Sequence, residues 1–401
     1  MTTAVVRAPE SEDEWRQCHR IAAQGFNGPL TPAAEEEQLP KFHRDRCLAV
    51  VVGDEVAAWS QVRPFGQFFG GRRVPMGGFS PVVTAPEHRG QGFGSRVTAA
   101  QLPIMRDRGE VIAGLYPAQT QLYRGNGFEV AGVFAGRTLP TRSLHHLRPS
   151  ASVRLRAGTA DDLAAVKGCY ARFAMTQNGW LDRPDVWWDN IVPGDKIGRE
   201  QFLYVADGEG GALAGYVRYA HAKARPPALG YTIQVMDFCA AEPDVALALW
   251  RMIGTSSTQA EHVRISGAVE HPLLLLLPDQ DLKTTDEIRW MLRVVDAPRA
   301  IAARGYPAAV RATVDLDLAD RQCEWNAGRW RLTVEDGSAT LDKGGDGDVQ
   351  LTSNAFSALY SGYAAAGTLR RTGLISSGDT RSLSALEAVF AGPTPSIADF
   401  Y

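Results

Sequence analysis

Arg89, Gly92 and Gly94 fall at Arg-x-x-Gly-x-Gly spacing within VVTAPEHRGQGFGSRVTAAQ, Val82 to Gln101, where an apolar strand-like run gives way to a helix-like one. That pattern is suited to holding an anion. Glycines let the backbone turn tightly and let an anion approach the amides. Successive N–H groups at a helix start then point at a pyrophosphate-sized group, and Arg89 can add a charge-assisted bond. Two other phosphate-binding patterns fit less well. The string Gly-x4-Gly-Lys-Ser/Thr does not occur. The dinucleotide fingerprint Gly-x-Gly-x-x-Gly finds Gly90 and Gly92 but has Ser95 in third place. Its acidic partner, expected about twenty positions on, has only Asp107 and Glu110 as candidates. A surface turn with incidental glycines is the bland alternative in a chain of 40 glycines.

Such a turn must be carried by a strand and a helix, and the flanking sequence supplies both. VRAPESEDEWRQCHRIAAQGF reads as a strand scrap, then a helix starting at Ser11 or Glu12 with Trp15, Cys18, Ile21 and Ala22 on one face. Gly-Asp and Gly-Gly turns cut the stretch from Cys47 to Thr84 into three strands. The helix after the glycine turn is expected to reach about Arg108, kinked or broken early by Pro103. EVIAGLYPA is a strand, TQLYRGNGF a short helix ending in Asn-Gly, and FEVAGVFAGRTLP a last strand. The linker TRSLHHLRPSAS ends this unit near residue 150.

A second unit then repeats the grammar. VRLRAGTADDLAAVKGCYARFA is again a strand and an Asp/Thr-capped helix, followed by strands, LGYTIQVMDFCA among them, and the helix PDVALALWRMIGT. Its turn, inside VMDFCAAEPDVALALW, has neither glycine nor arginine, so this copy is not expected to hold what the first holds. Past RWMLRVVDAPRAIAARGY, near residue 295, come alternating strands joined by Asn-Ala-Gly, Asp-Gly and Gly-Asp turns. Asn354 is expected to cap a helix, AFSALYSGYAAAG; RSLSALEAVFAG forms another before the tail PTPSIADFY. The division is therefore 1–145, 150–295 and 296–401.

Composition closes other routes. Net charge is −3, which makes no electrostatic case for nucleic acid or an anionic membrane. The five cysteines (Cys18, Cys47, Cys169, Cys239, Cys323) are scattered and read as reduced thiols of a cytoplasmic protein. His43, His88, His221 and the His145/His146 pair lack metal-site spacing, and no metal is expected. The start of the chain has no signal-peptide core. The apolar run HPLLLLLPDQ is too short to span a bilayer and reads as a buried strand.

VTAPEHRGQGFG resembles the acetyl-CoA pyrophosphate loop of the GCN5-related N-acetyltransferases. LYRGNGF, Leu122 to Phe128, resembles the same family's Tyr-x-x-x-Gly-Phe signature. More narrowly, length, layout, RVVDAPRAIAARGY and the aromatic C-terminus resemble the Eis acetyltransferases. That resemblance implies an α+β fold. Two tandem acetyltransferase units, each a mixed, mostly antiparallel sheet with flanking helices, precede a sterol-carrier-protein-like α/β domain. The first unit is active and the second degenerate. It also implies a hexamer.

The resemblance implies acetyl-CoA as co-substrate and transfer of its acetyl group to a primary amine. Val82, Val83 and Thr84 would contact the pantetheine arm, the Val82 amide facing the thioester oxygen as a modest oxyanion site. Arg89, Gly90, Gln91, Gly92, Phe93, Gly94, Ser95 and Gln119 would complete cofactor binding. Tyr123 would be the general acid, its phenol pKa of about 10 close enough to a thiol's ~8.5 that placement must carry the step. The general base would be the terminal carboxylate of Tyr401, carried into the site by the third domain. Phe26, Asp399 and Phe400 are substrate-pocket candidates. Polycationic aminoglycosides call for carboxylates, yet Phe400 is the penultimate residue and GFNGPLTP carries no acid. A hydrophobic or aromatic amine, an aminoglycoside-like amine and a lysine side chain all remain as acceptors. Trp180, Trp187 and Trp188 are read as packing residues before substrate contacts. An acyl-CoA-binding regulatory protein and a lipid carrier are the rival functions.

Overall fold

Ser11 does at the first helix what its type predicts: its hydroxyl accepts from the Glu14 N–H and starts the helix in a β-region backbone. The Glu14 carboxylate in turn accepts from both Arg7 guanidinium nitrogens, at 2.9 and 2.6 Å, and from the Glu10 N–H. Strand and helix are thereby locked together. The computed structural model describes residues 3–208, 210, 212–223, 230–267 and 271–401.

The first set of elements is β1 (Ala4–Arg7), α1 (Glu12–Gly25), α2 (Pro32–Gln38), β2 (Cys47–Val52), β3 (Glu55–Phe69), β4 (Arg72–Thr84), α3 (Phe93–Asp107), β5 (Ile112–Leu115), α4 (Thr120–Arg124) and β6 (Glu129–Pro140). The second is β7 (Leu155–Ala157), α5 (Leu163–Ala174), β8 (Leu181–Asp182), α6 (Asp185–Ile191), β9 (Gln201–Asp207), β10 (Leu213–Lys223), β11 (Tyr231–Ala240), α7 (Pro243–Gly254), β12 (Ala260–Gly267), α8 (Leu273–Leu276) and β13 (Lys283–Val294). The third is α9 (Ala297–Ala303), β14 (Ala312–Ala319), β15 (Gly328–Glu335), β16 (Ser338–Lys343), β17 (Val349–Thr352), α10 (Ser353–Ser361), α11 (Ala366–Arg371), β18 (Ile375–Ser377) and α12 (Thr380–Val389).

The first two sets share one 13-stranded sheet ordered β1-β2-β3-β4-β5-β13-β6-β12-β11-β10-β9-β7, with β8 paired to β3. Each unit lends its last strand to the other. β13 lies antiparallel to β5, and β6 lies antiparallel to β12. Each exchanged strand covers an edge that would otherwise expose unpaired backbone groups. The third set forms its own sheet, β16-β15-β14-β17-β18. Its core is continuous with the first unit's: Phe65, Phe69 and Met76 pack in one apolar cluster with Trp290, Leu316, Leu332 and Phe356.

Four local expectations are corrected. α3 runs unbroken through Pro103 to Asp107, because burial of Leu102 and Met105 beside it offsets the lost hydrogen bond. HPLLLLLPDQ is not a buried strand: Pro272 sits in the right-handed helical region and starts α8, leaving Leu275 92% exposed. An apolar run this short does not distinguish strand from helix. Asn354 does not cap α10. Thr352 does, accepting from the Ala355 N–H, while the Asn354 amide donates to the Arg124 and Phe128 carbonyls at 3.0 and 2.7 Å. The expected linker is packed in part, with Thr141, Ser143 and Leu144 buried in a 3₁₀ turn. No helix among the described residues is long and apolar enough to cross a membrane.

The Arg7 hydrogen bonds, against a smaller burial penalty, hold the Glu14 carboxyl at about 2, below its ordinary 4.5. A depressed carboxylate stabilises the fold above its unfolded pKa and loses that contribution as pH falls through the folded value. Glu14→Gln is therefore expected to destabilise the protein at pH 7 by about 1–3 kcal/mol. The gap from wild type should close between pH 4.5 and 2. Urea denaturation at stepped pH measures this.

Candidate active site

Gly90 and Gly92 hold φ values of +80° and +76°, a left-handed backbone that disfavours other residues. A Cβ at either would meet nothing within 4 Å, so the turn faces open space. Gly92 is the N-cap of α3 and supplies no side-chain cap. The first N–H groups of a 15-residue helix are thus left for an external acceptor. Gly94 has a different role. A Cβ there would sit 3.2 Å from both Thr84 Oγ1 and Leu122 Cδ1, so its absence brings α3 close to β4 and α4. Ser95 Oγ accepts from Asn126 Nδ2 at 3.0 Å, which ties the glycine turn to the end of α4. Arg89 and Gln91 flank the turn, and Gln119 is the N-cap of α4. In the second unit the equivalent helix, α7, begins with Pro243 behind Glu242 at the N-cap. A missing donor and an added negative charge make that turn unfit for an anion.

Tyr123 lies on α4, 7% exposed, among Val62, Phe79, Leu102 and Phe128. Its carbonyl accepts from the N–H groups of Asn126 and Phe128, at 2.9 and 3.1 Å, which fixes the helix-to-strand turn. Burial pushes its phenol up to about 12, so it is protonated at neutral pH.

β4 and β5 pair only from Met76–Ile112 to Gly78–Gly114. Beyond Gly78, β4 continues to Thr84 with β3 on its other side, whereas β5 ends one residue past the last pair, at Leu115. Val82 and Thr84 are half-buried along this edge, whereas Val83 packs into the core against Trp15, Cys18 and Ile21. The last residue of the chain sits where the strands part. A Cβ at Gly78 would lie 2.8 Å from Tyr401 Cε2, and one at Gly114 would lie 2.7 Å from its hydroxyl. The Tyr401 ring lies 5.2 Å from that of Phe65 and 5.6 Å from that of Tyr116. Its hydroxyl is buried without a hydrogen-bond partner among the described residues, and burial holds it far above the usual phenol range.

The tail reaches this position through a channel cleared by two more glycines. A Cβ at Gly132 would meet the Pro395 carbonyl at 2.6 Å, and one at Gly179 the Ser396 carbonyl at 2.5 Å. Val133 and Asn178 hydrogen-bond the same segment, and Trp180 Nε1 donates to Ser396 Oγ at 3.3 Å.

Residues 6–131 and 179–294 each match a family described as acetyltransferase (GNAT) domain, and residues 297–398 match a sterol carrier protein domain. The crystal structure of a GCN5-related N-acetyltransferase from Kribbella flavida is 32% identical. It superposes with a TM-score of 0.85, the alignment covering 100% of this chain and 99% of that one. A GCN5-related N-acetyltransferase from Anabaena variabilis is 27% identical, with a TM-score of 0.90 and 100% of both chains covered. The N-acetyltransferase Eis of Mycobacterium tuberculosis is 27% identical over 412 residues, 96% of either chain. The chain belongs to the Eis family of GCN5-related N-acetyltransferases.

Not every pocket candidate of this Eis-family enzyme is open to a substrate. Phe400 is 61% exposed and lies 4.5 Å from the Tyr116 ring. Phe26 is exposed at the C-cap of α1, next to Gly25, where a Cβ would lie 2.8 Å from Val83 Cγ2. Asp399, by contrast, is 5% exposed and engaged by Arg183, so it lines no open surface. Trp180 and Trp188 pack in the second unit's core, while Trp187 Nε1 donates to Asp399 Oδ1 at 3.0 Å. Among the described residues no cluster of His, Cys, Asp and Glu could hold a metal.

Sequence reasoning missed Tyr116, Arg183 and Asn126. Tyr116 stands at the end of the strand EVIAGLYPA, and its hydroxyl donates to the Asp399 carbonyl at 2.6 Å. Asn126 stands inside LYRGNGF, where only the tyrosine, glycine and phenylalanine positions draw notice. Arg183 carries no local signal.

Gly78→Ala places a methyl against Tyr401 and Phe65. It is expected to displace the Tyr401 ring and lower acetyl transfer at least tenfold, with a stability loss of about 1–3 kcal/mol. Turnover and thermal melts measured together check this.

Proposed function

We propose that this enzyme moves an acetyl group from acetyl-CoA directly to a primary amine. We propose further that the amine belongs to a small molecule of aromatic or hydrophobic character. The observation that carries the first part is the seating of Tyr401 where β4 and β5 part, beside the strand that ends in the glycine turn. The second part rests on the surroundings of that residue. Phe65, Tyr116, Trp187 and Phe400 gather there, and the nearby Asp399 carboxylate is already neutralised by Arg183. A polycation would find little negative charge to meet.

Bound acetyl-CoA supplies an acetyl thioester; the chain supplies the rest. The uncapped N–H groups of α3, with Gly90, Gly92 and Arg89, hold its pyrophosphate. The Val82 amide polarises the thioester carbonyl. The Tyr401 carboxylate takes the proton from the attacking amine. A free α-carboxyl has a pKa of about 3.5, so its placement against the attacking amine must carry the step. Tyr123 returns a proton to the departing thiolate. Its pKa of about 12 lies above that of a free thiol. Placement of the phenol against the leaving sulfur would therefore have to carry the step.

The test is thiol release from acetyl-CoA across an amine panel, using wild type, Tyr123→Phe and a chain with one residue added after Tyr401. Both variants are expected to lose about 10²–10³-fold in kcat, with aromatic amines the best acceptors. Full activity in the extended chain removes the carboxylate from the mechanism. Binding of acetyl-CoA without turnover on any amine favours a regulatory protein instead.

A further inference from the structure

Arg183 is a buried arginine of the degenerate unit, yet it belongs structurally to the active one. It directly follows β8, which pairs with β3 through Leu181–Gln67 and Asp182–Gly66. Its guanidinium spends every nitrogen. Nε donates to both Asp399 oxygens at 3.0 Å, and the two terminal nitrogens donate to Asp237 at 2.7 and 3.0 Å. The plane also lies over the Tyr170 ring at 3.9 Å and the Trp188 ring at 4.8 Å. Arg218, 3.8 Å from Asp237, makes the group two arginines and two aspartates, with no net charge. A bidentate fork with a third donor facing elsewhere is a geometry lysine cannot reproduce.

Asp399 is held four ways. Arg183 takes its carboxylate, Trp187 Nε1 and, at 3.5 Å, the Tyr170 hydroxyl donate to the same carboxylate, and the Tyr116 hydroxyl donates to its carbonyl at 2.6 Å. Only two residues separate this anchor from the terminal carboxylate, a reach of about 7 Å. Fixing Asp399 therefore confines the end of the chain.

We propose that Arg183 is a positioning residue for acetyl transfer: by pairing with Asp399 it holds the C-terminal carboxylate in the active site, and providing this clamp is a retained role of the degenerate unit. It touches neither acetyl-CoA nor the acceptor. The proposal rests on the terminal carboxylate acting as base, and the test separates the two.

Asp399→Asn is the primary variant, because Arg183 keeps its bidentate pair with Asp237 and the core stays paired. Carboxypeptidase release of Tyr401 from the folded full chain, followed by mass spectrometry, reads tail docking directly. Wild type is expected to be resistant, and Asp399→Asn to lose Tyr401 at least tenfold faster. Its kcat should fall at least tenfold while KM for acetyl-CoA stays within twofold. In a chain lacking Tyr401, adding Asp399→Asn should cost less than a further twofold, because both changes act through the same carboxylate. Arg183→Gln should repeat the tail release; if it fails to fold, Asp399→Asn decides alone. A tail as protected as wild type in Asp399→Asn overturns the clamp, as does a wild-type tail that is released equally fast. Faster release with unchanged kcat keeps the anchor but overturns the positioning role; the carboxylate as base falls separately, if the chain lacking Tyr401 turns over at the wild-type rate.

Discussion

Three residue pairs hold β4 to β5, Met76 with Ile112, Gly77 with Ala113 and Gly78 with Gly114, and the site depends on that pairing stopping where it does. β5 ends at Leu115, one residue past the last pair, so the backbone of Val82 to Thr84 meets no ladder on that side. That edge is therefore left without a strand partner beyond the last pair. The final pair consists of two glycines. Any side chain at either position would fill the space that the Tyr401 ring takes. The same stretch of sheet thus ends one ladder, frees one edge and seats the chain terminus.

A gap in a sheet weakens it unless the surroundings compensate, and here the other two units do so. β13, contributed by the second unit, runs along the far side of β5 and pairs it from Ile112 to Leu115. β5 therefore keeps a full ladder on one side while it leaves β4 on the other. The third unit braces the opposite end. Asn354 on α10 holds the carbonyls on both sides of the helix-to-strand turn that follows Tyr123. Buried Arg293 of β13 pairs with Asp320 beyond β14. The first unit is thus bound to its neighbours, the second lending it β13 and the third holding the turn after Tyr123.

Much of this was legible in the sequence. The repeated strand-then-capped-helix grammar marked the two related units, and the glycine spacing at Arg89 to Gly94 marked a turn able to hold an anion. The aromatic tail marked a terminus with a place to dock. What escaped was long-range. The exchange of β6 and β13 leaves no local trace, since either strand reads equally well beside any partner. The lone Arg183 resembles a surface arginine until Asp237 and Asp399, 54 and 216 residues away, are brought to it. Asp399 reads as a pocket acid because composition records a carboxylate, not whether it is already paired. Pro103 and HPLLLLLPDQ mislead for a simpler reason: burial of a helix face overrides a local breaker in one, and in the other a run of leucines carries no usable period.

The charge arrangement around the tail sets what the site can recognise. Burying a single aspartate next to the catalytic cleft would leave a strong field there, and a cationic acceptor would be drawn to it. Arg183 removes that field by pairing with Asp399, while Asp237 and Arg218 complete a neutral group inside the second unit. The Tyr401 ring lies against those of Phe65 and Tyr116, and the Phe400 ring lies against Tyr116. Under the proposed mechanism the terminal carboxylate is the negative charge that the tail brings to the site, and aromatic rings surround the residue that carries it. On the proposed reading, an acceptor is selected by shape and apolar contact more than by its total positive charge.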